Sequence, residues 1–172
     1  VHIIDSLNLS SGIGLLALKA AQLRDAGVPA QEIAARITAW VPKVRTAFVI
    51  ETLDYLFKGG RCSAMQNLMA SLLRIRPLVS INHSTGLVEP VSLARTRKAG
   101  IELLYHRFFS HFKDAKNLHI AVLHNAALAE AEALAERVRN EFNPEELIIH
   151  IVSPVLGVHT GPRCLALVGY RE

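Results

Sequence analysis

Hydrophobic positions recur along the chain at two spacings, and these distinguish predicted helices from predicted strands. Apolar residues three or four positions apart predict helices near 11–26, 29–41, 52–58, 64–74, 96–112 and 126–142. Short apolar runs predict strands at 1–5, 47–51, 76–82, 87–94, 118–124, 146–153 and 164–170. The segment 154–162 contains two prolines and two glycines and is predicted to be a loop.

Strands and helices of these lengths alternate along most of the chain. The alternation predicts an α/β fold, with a mixed, largely parallel sheet flanked by helices. The strands at 76–82 and 87–94 are joined by a short turn and are expected to pair as a hairpin. The apolar run at 1–5 looks like a buried strand caught midway, and the chain does not begin with methionine. We therefore expect a further N-terminal portion.

Composition indicates a globular chain with a modest basic excess. Hydrophobic residues make up 51% and charged residues 20% of the 172 residues, and the net charge is +4. This balance permits an anionic partner. No basic cluster is interleaved with aromatic residues, so we expect no nucleic-acid binding. No apolar run reaches the length of a membrane span, so we expect no transmembrane segment.

Cysteine and histidine spacings argue against metal and redox sites. Cys62 and Cys164 match no zinc or thiol-exchange pattern, and we expect free thiols in a reducing cytoplasm. Two pairs of histidines are separated by five residues, a spacing that does not place both imidazoles on one helix face. We expect neither a metal nor a cofactor.

The polar segment KGGRCS, residues 58–63, is the first candidate site. Gly59 and Gly60 permit positive φ, so their amides could form a nest for an anion. Arg61 would add a forked donor for a carboxylate or phosphate. The alternative is a simple linker between two helices with solvated charges. No Walker pattern is present, so a P-loop nucleotide site is not expected.

The segment GVHTGP, residues 157–162, is the second candidate. It follows a predicted strand, and ligands bind beyond strand ends in α/β folds. His159 could donate a hydrogen bond to a carboxyl group. The alternative is a polar turn with His159 in water. Neither a GxSxG nucleophile elbow nor a carboxylate pair stands out, which favours a binding protein over an enzyme.

A third basic segment, ARTRK, lies at 94–98, where a predicted strand meets a predicted helix. Arg95 and Arg97 could form a solvated helix start. They could equally form a docking patch for an acidic partner.

Together, five segments resemble the DegV family of bacterial fatty-acid-binding proteins. They are IDS…SGIG at 4–14, TLDYLFKGGRCS at 52–63, IRPLVSINHSTG at 75–86, ARTRKA at 94–99 and VHTGP at 158–162. Their order and spacing fit over essentially the whole chain. A lone KGGR is a weak signal, whereas LxYLxKGGR followed downstream by HxGP is specific.

The resemblance implies a two-domain α/β protein that holds a long-chain fatty acid and presents it to a separate ATP-binding kinase, with no ATP site of its own. Residues 1–45 would be the tail of the first domain, a strand and two helices, and 46–172 the C-terminal lipid-binding domain. Three sets of residues are implied: His159, Gly161 and Arg61 at the carboxyl group, Arg61, Arg95 and Arg97 at the kinase-docking face, and Met65, Leu68, Met69 and Leu72 along the acyl chain.

The chain departs from the family pattern in two places. An N-terminal Thr and a Ser-Gly-Thr loop that help to hold the carboxyl group have no counterpart here. Arg163 also replaces the glycine that usually follows HxGP. The alternative function is an enzyme acting on a small phosphorylated or carboxylated metabolite through His159 and the KGGR loop. Because a shortened first domain would expose apolar surface at 1–41, we also expect this chain to self-associate.

Overall fold

The computed structural model of the chain describes residues 1–61, 75–112 and 116–172. Six strands within these residues form one sheet with helices on both faces. The helices are α1 (Ser11–Asp25), α2 (Ala30–Trp40), α3 (Asp54–Lys58), α4 (Arg97–Phe109), α5 (Leu128–Phe142) and α6 (Pro154–Thr160). The strands are β1 (Arg45–Val49), β2 (Arg76–Ile81), β3 (Val88–Ala94), β4 (Leu118–His124), β5 (Glu146–Ile151) and β6 (Leu165–Arg171). The helix predicted at 64–74 lies outside the described residues.

The α/β class and the mixed sheet are confirmed, but the described strands are mostly antiparallel. Their order is β3-β2-β1-β6-β4-β5. Strands β4 and β5 run parallel and are connected through α5 as a βαβ unit. The other neighbouring pairs are antiparallel. The prediction of a largely parallel sheet was wrong because β6 returns between β1 and β4, opposite to both in direction.

Strand β1 separates two hydrophobic cores. Phe48 packs with α1, α2 and α3 on one face of the sheet. Ala47 and Val49 pack with α4 and α5 on the other face. Because side chains alternate along a strand, neighbouring residues of β1 serve opposite faces. The two faces can therefore carry different surfaces and different sites.

The hairpin prediction is confirmed, one helix cap was not singled out from the sequence, and one strand prediction is wrong. Strands β2 and β3 form the expected hairpin. Thr96 caps α4, with its hydroxyl accepting a hydrogen bond from the Ala99 amide at 3.2 Å. Residues 1–5 form no strand; they pair with none of the described strands, and Asp5 accepts a hydrogen bond from the Leu7 amide in a turn. An apolar run becomes a strand only where a partner strand satisfies its backbone.

The predicted loop at 154–162 is mostly a helix. Pro154 occupies the first turn of α6, where its fixed φ favours helix and its missing N–H costs nothing. Gly161, at φ 71°, ends the helix. The two prolines and two glycines thus mark the ends of a short helix instead of a loop. Its last turn carries His159.

Candidate functional site

An apolar cavity of about 200 Å³ lies on the α1, α3 and α6 side of the sheet. Its strand wall includes Thr46, Phe48, Val88, Leu123, Ala166 and Val168. Its remaining walls include Leu9, Ser10, Leu56, Arg61, Val152, Val155, Leu156, His159, Thr160 and Cys164. The cavity therefore joins two of the candidate segments, KGGR and HTGP, which are about a hundred residues apart in sequence.

His159 lies directly against the KGGR turn. A Cβ atom built on Gly59 would be only 1.9 Å from Nδ1 of His159, so the imidazole occupies the space that a side chain would need. That Nδ1 atom is buried and has no hydrogen-bond partner among the described residues. A buried polar atom without a partner costs about 1–3 kcal/mol. The imidazole therefore lines the cavity while its Nδ1 atom faces the turn.

Arg61 follows the turn and also lines the cavity. Its side chain is exposed, and Nη1 donates to the Gly59 carbonyl at 3.0 Å. Gly59 thus contacts both predicted carboxyl-binding side chains, through its α-carbon and through its carbonyl. Gly60, at φ 70°, reverses the chain after α3.

Gly161 is held from three sides and has no room for a side chain. A Cβ atom there would lie 2.4 Å from Cδ2 of Tyr55 on α3. Its N–H donates to the Gly157 carbonyl at 2.9 Å, and its carbonyl accepts from Nδ2 of Asn125 at 2.8 Å. Both backbone groups of Gly161 are therefore engaged within the chain. Asn125 was not singled out from the sequence.

A second polar tether was also missed by sequence reasoning. The hydroxyl of Thr46 donates to Oδ1 of Asn8 at 2.7 Å. A Cβ atom on Gly12 would lie 2.2 Å from the same oxygen, so the Asn8 side chain fits only beside a glycine. This tether holds the segment before α1 against the sheet and places Leu9 and Ser10 in the cavity wall. The sequence signal that could have indicated this tether is Thr46, a polar residue within an otherwise apolar strand.

Cys164 contributes a neutral wall to the cavity. Burial raises the pKa of its thiol to about 12, although a hydrogen bond to Thr160 and the charge of Arg97 act in the opposite direction. The thiol therefore stays protonated at neutral pH. A buried, protonated cysteine behaves as a small hydrophobic residue.

The basic residues at the start of α4 occupy different environments. Arg95 is exposed. Arg97 is mostly buried and forms two ion pairs, one with Glu130 at 2.5 Å and one with Glu51 at 3.6 Å. Arg163, at φ 59°, joins the same network by donating to Glu130 at 3.1 Å. The residue that departs from the family pattern is thus tied to α5.

The remaining predictions concern the residues along the acyl chain, metal binding and membrane spans. Met65, Leu68, Met69 and Leu72 lie outside the described residues. Across the described ranges, no group of three or more His, Cys, Asp or Glu side chains is arranged to hold a metal ion. Nor does any described helix combine the length and apolar character needed to cross a membrane.

Comparison with curated proteins identifies relatives over nearly the whole chain. The DegV domain-containing protein SCO2569 of Streptomyces coelicolor is 33% identical over 170 residues, covering 98% of this chain and 59% of the relative. The chain thus spans about three fifths of the length of the curated relatives it matches.

Solved structures show the same fold. A DegV family protein from Thermus thermophilus, described as fatty-acid binding, superposes with a TM-score of 0.91 at 24% identity, covering 100% of this chain and 61% of that one. DegV from Bacillus subtilis, also described as a fatty-acid-binding protein, gives a TM-score of 0.83 at 26% identity, covering 98% of this chain and 60% of that one. A family described as "Uncharacterised protein, DegV family" matches residues 1–172. This chain therefore belongs to the DegV family.

Proposed function

We propose that this chain forms part of a carrier that binds a long-chain fatty acid, with the acyl chain in the apolar cavity and the carboxyl group beside His159. The observation that carries the proposal is a cavity with mainly aliphatic walls that both His159 and Arg61 line. The fatty-acid binding described for the Thermus and Bacillus proteins supports the same ligand class.

The acyl chain and the head group need opposite environments. Each buried methylene contributes about 0.8 kcal/mol, so an aliphatic wall favours a long chain. An ionised carboxylate is costly to bury unless donors surround it. His159 and Arg61 are the donors that we assign to it. Gly161 acts through its shape, because its own N–H and carbonyl are already bonded within the chain.

The volume of the cavity indicates that only part of the ligand lies among the described residues. About 200 Å³ is less than the roughly 300–1,000 Å³ of typical ligand pockets. We place the rest of the acyl chain along Met65, Leu68, Met69 and Leu72. Methionine side chains adapt well to a flexible aliphatic partner.

The proposal includes a separate ATP-dependent fatty-acid kinase in the cytoplasm that phosphorylates the bound carboxyl group. The carrier itself performs no chemistry. Arg61 and Arg95 are exposed and available for docking. Arg97 would support docking indirectly, since its guanidinium is engaged with Glu130 and Glu51. We retain residues 1–45 as the tail of a first domain and 46–172 as the lipid-binding domain.

Self-association is a separate part of the proposal. Ile13 and Leu18 of α1 are about half exposed, and an apolar groove lies between α1 and α2. Sedimentation velocity should show a species heavier than the 18.9 kDa monomer for the 172-residue chain. A purely monomeric boundary at high concentration would refute it.

Organic extraction and mass spectrometry of the protein produced from its complete gene test the main proposal. A stoichiometric fatty acid is expected, and His159→Gln should lose most of it. His150→Gln, a substitution at an exposed histidine on β5, is the matched control. The carrier proposal is rejected if no lipid co-purifies and if palmitate and oleate also show no saturable binding. Turnover of a small phosphorylated or carboxylated metabolite that depends on His159 would support the enzyme instead.

A further inference from the structure

A second site lies on the opposite side of β1 from the apolar cavity. Two adjoining cavities of about 790 and 370 Å³ share Arg45, Ser110 and His111. We name this surface the basic groove. Its cationic side chains are Lys43, Arg45, Lys116 and Arg171 around the larger cavity and Arg45 and Arg107 around the smaller one, which also contains His83.

The fold assembles the basic groove from distant segments. Arg45 of β1 pairs in register with Gly169 of β6, so the start of β1 lies beside the end of β6. Arg171 at that end pairs with Leu118 at the start of β4, next to Lys116. The C-terminal end of α4 adds Ser110 and His111. Three strand ends and one helix end thus bring the cations together.

The positive charges of the basic groove are not neutralised within the described residues. None of Lys43, Arg45, Arg107, Lys116 and Arg171 forms an ion pair with a described carboxylate, whereas Arg76, Arg97, Arg137 and Arg163 each do. The two acidic residues of the groove have other partners. Glu172 contacts Lys19 and His119, and Glu89 accepts from the Asn82 amide at 3.0 Å.

Arg45 is held in place for an incoming anion. Its Nη1 donates to the carbonyls of Pro42 at 2.7 Å and Val44 at 3.1 Å, which fixes the guanidinium and leaves its other donors available. Its side chain is half-buried, and burial lowers its pKa. A hydrogen bond from a partly desolvated guanidinium to an anion is stronger than one in bulk water.

His111 lies beside the same cations and lines both cavities. Its pKa is lowered by burial first, and then by the positive charges of Arg45 and His83. The Ser110 hydroxyl at the end of α4 donates to the Arg107 carbonyl at 2.7 Å.

We propose that the basic groove binds the phosphate groups of a small phosphate-bearing ligand. Several cations around one concave surface suit a ligand that carries more than one negative charge. The planar fork of Arg45 suits phosphate oxygens, and Asn117 adds an amide donor. The charged residues of the basic groove are not among those that line the proposed fatty-acid cavity, although Thr46 lines both that cavity and the smaller cavity of the groove.

Calorimetric titration with inorganic pyrophosphate at about 0.15 M ionic strength tests the proposal. Saturable binding is expected. Arg45→Gln should weaken it by about tenfold or more, the loss expected for one charge-assisted contact. Lys43→Gln should also weaken pyrophosphate binding. Because Lys43 is exposed, this second variant tests the site even if Arg45→Gln fails to fold. Arg139→Gln, on the exposed side of α5, is the matched control and should bind as the parent does.

NMR titration of His111 adds a readout that a structural role would not move. Bound pyrophosphate should raise the His111 pKa, because a nearby negative charge favours the imidazolium. Binding of phosphatidylglycerol vesicles and of a short single-stranded DNA is measured as well, to distinguish a lipid headgroup or a nucleic-acid backbone from a small ligand. Binding to vesicles or DNA without binding to pyrophosphate would overturn the proposal, as would pyrophosphate binding that is insensitive to both Arg45→Gln and Lys43→Gln. Palmitate binding should be unchanged in Lys43→Gln.

Discussion

The imidazole of His159 packs on the α-carbon of Gly59, in space that any other residue at position 59 would fill. This contact joins α6 to the turn after α3 and sets the position of the imidazole at the cavity. It also explains why two short polar segments, each ambiguous alone, belong to one site.

Gly59→Ala should therefore impair fatty-acid binding. A methyl group 1.9 Å from Nδ1 must displace the imidazole, and loss of one hydrogen bond to a charged group corresponds to about tenfold or more in affinity. Palmitate titration measures this. Gly14→Ala is the control, because a Cβ at this position in α1 meets open space. Equal affinity in the two variants would contradict the role of the Gly59–His159 contact.

Gly12→Ala should destabilise the fold, whereas Gly14→Ala should not. A Cβ on Gly12 lies 2.2 Å from Oδ1 of Asn8 and would break the Asn8–Thr46 tether, at a cost of about 1–3 kcal/mol. A Cβ on Gly14 meets nothing, and alanine is favoured over glycine in a helix by about 1 kcal/mol. Urea unfolding of both variants gives the comparison. A stable Gly12→Ala would show that Asn8 moves aside freely.

Arg163→Gly should be more stable than Arg163→Ala. Both lose the pair with Glu130, but only alanine keeps a side chain at φ 59°. Relief of roughly 1–2 kcal/mol of left-handed strain is partly offset by about 0.5–1 kcal/mol of extra unfolded-state entropy. We expect a net difference of about 0.5–1 kcal/mol in the unfolding free energy. The reverse order would mean that position 163 changes conformation in the variants.

Glu130 should make part of the stability depend on pH. A hydrogen bond from Arg97, opposed by burial and helped by Arg163, holds the pKa of its carboxyl group below the usual value. A carboxyl group with a lower pKa in the folded state stabilises the fold fully above its unfolded-state pKa of about 4.3. This contribution disappears as the pH falls through the lower folded-state pKa.

The unfolding free energy of Glu130→Gln should therefore differ most from the parent at neutral pH, with the difference shrinking below about pH 4. Urea unfolding across that range measures it. Glu136→Gln, at an exposed position of the same helix, should run parallel to the parent. A constant difference between Glu130→Gln and the parent would contradict the argument.

The sequence alone determined most of the local elements. The hairpin of β2 and β3 and the β4–α5–β5 unit follow from turn chemistry and apolar spacing, which act between near neighbours. The resemblance of the KGGR and HTGP segments to one family also came from the sequence. It named Arg61 and His159, which both line the apolar cavity.

Only the tertiary structure decided which strands are neighbours and which residues meet. The insertion of β6 between β1 and β4, the helix at Pro154–Thr160, the Gly59–His159 contact and the assembly of the basic groove were not visible in the residue pattern. Apolar periodicity specifies which face of a segment is buried, but strand order and contacts between distant segments depend on the packing of the whole chain.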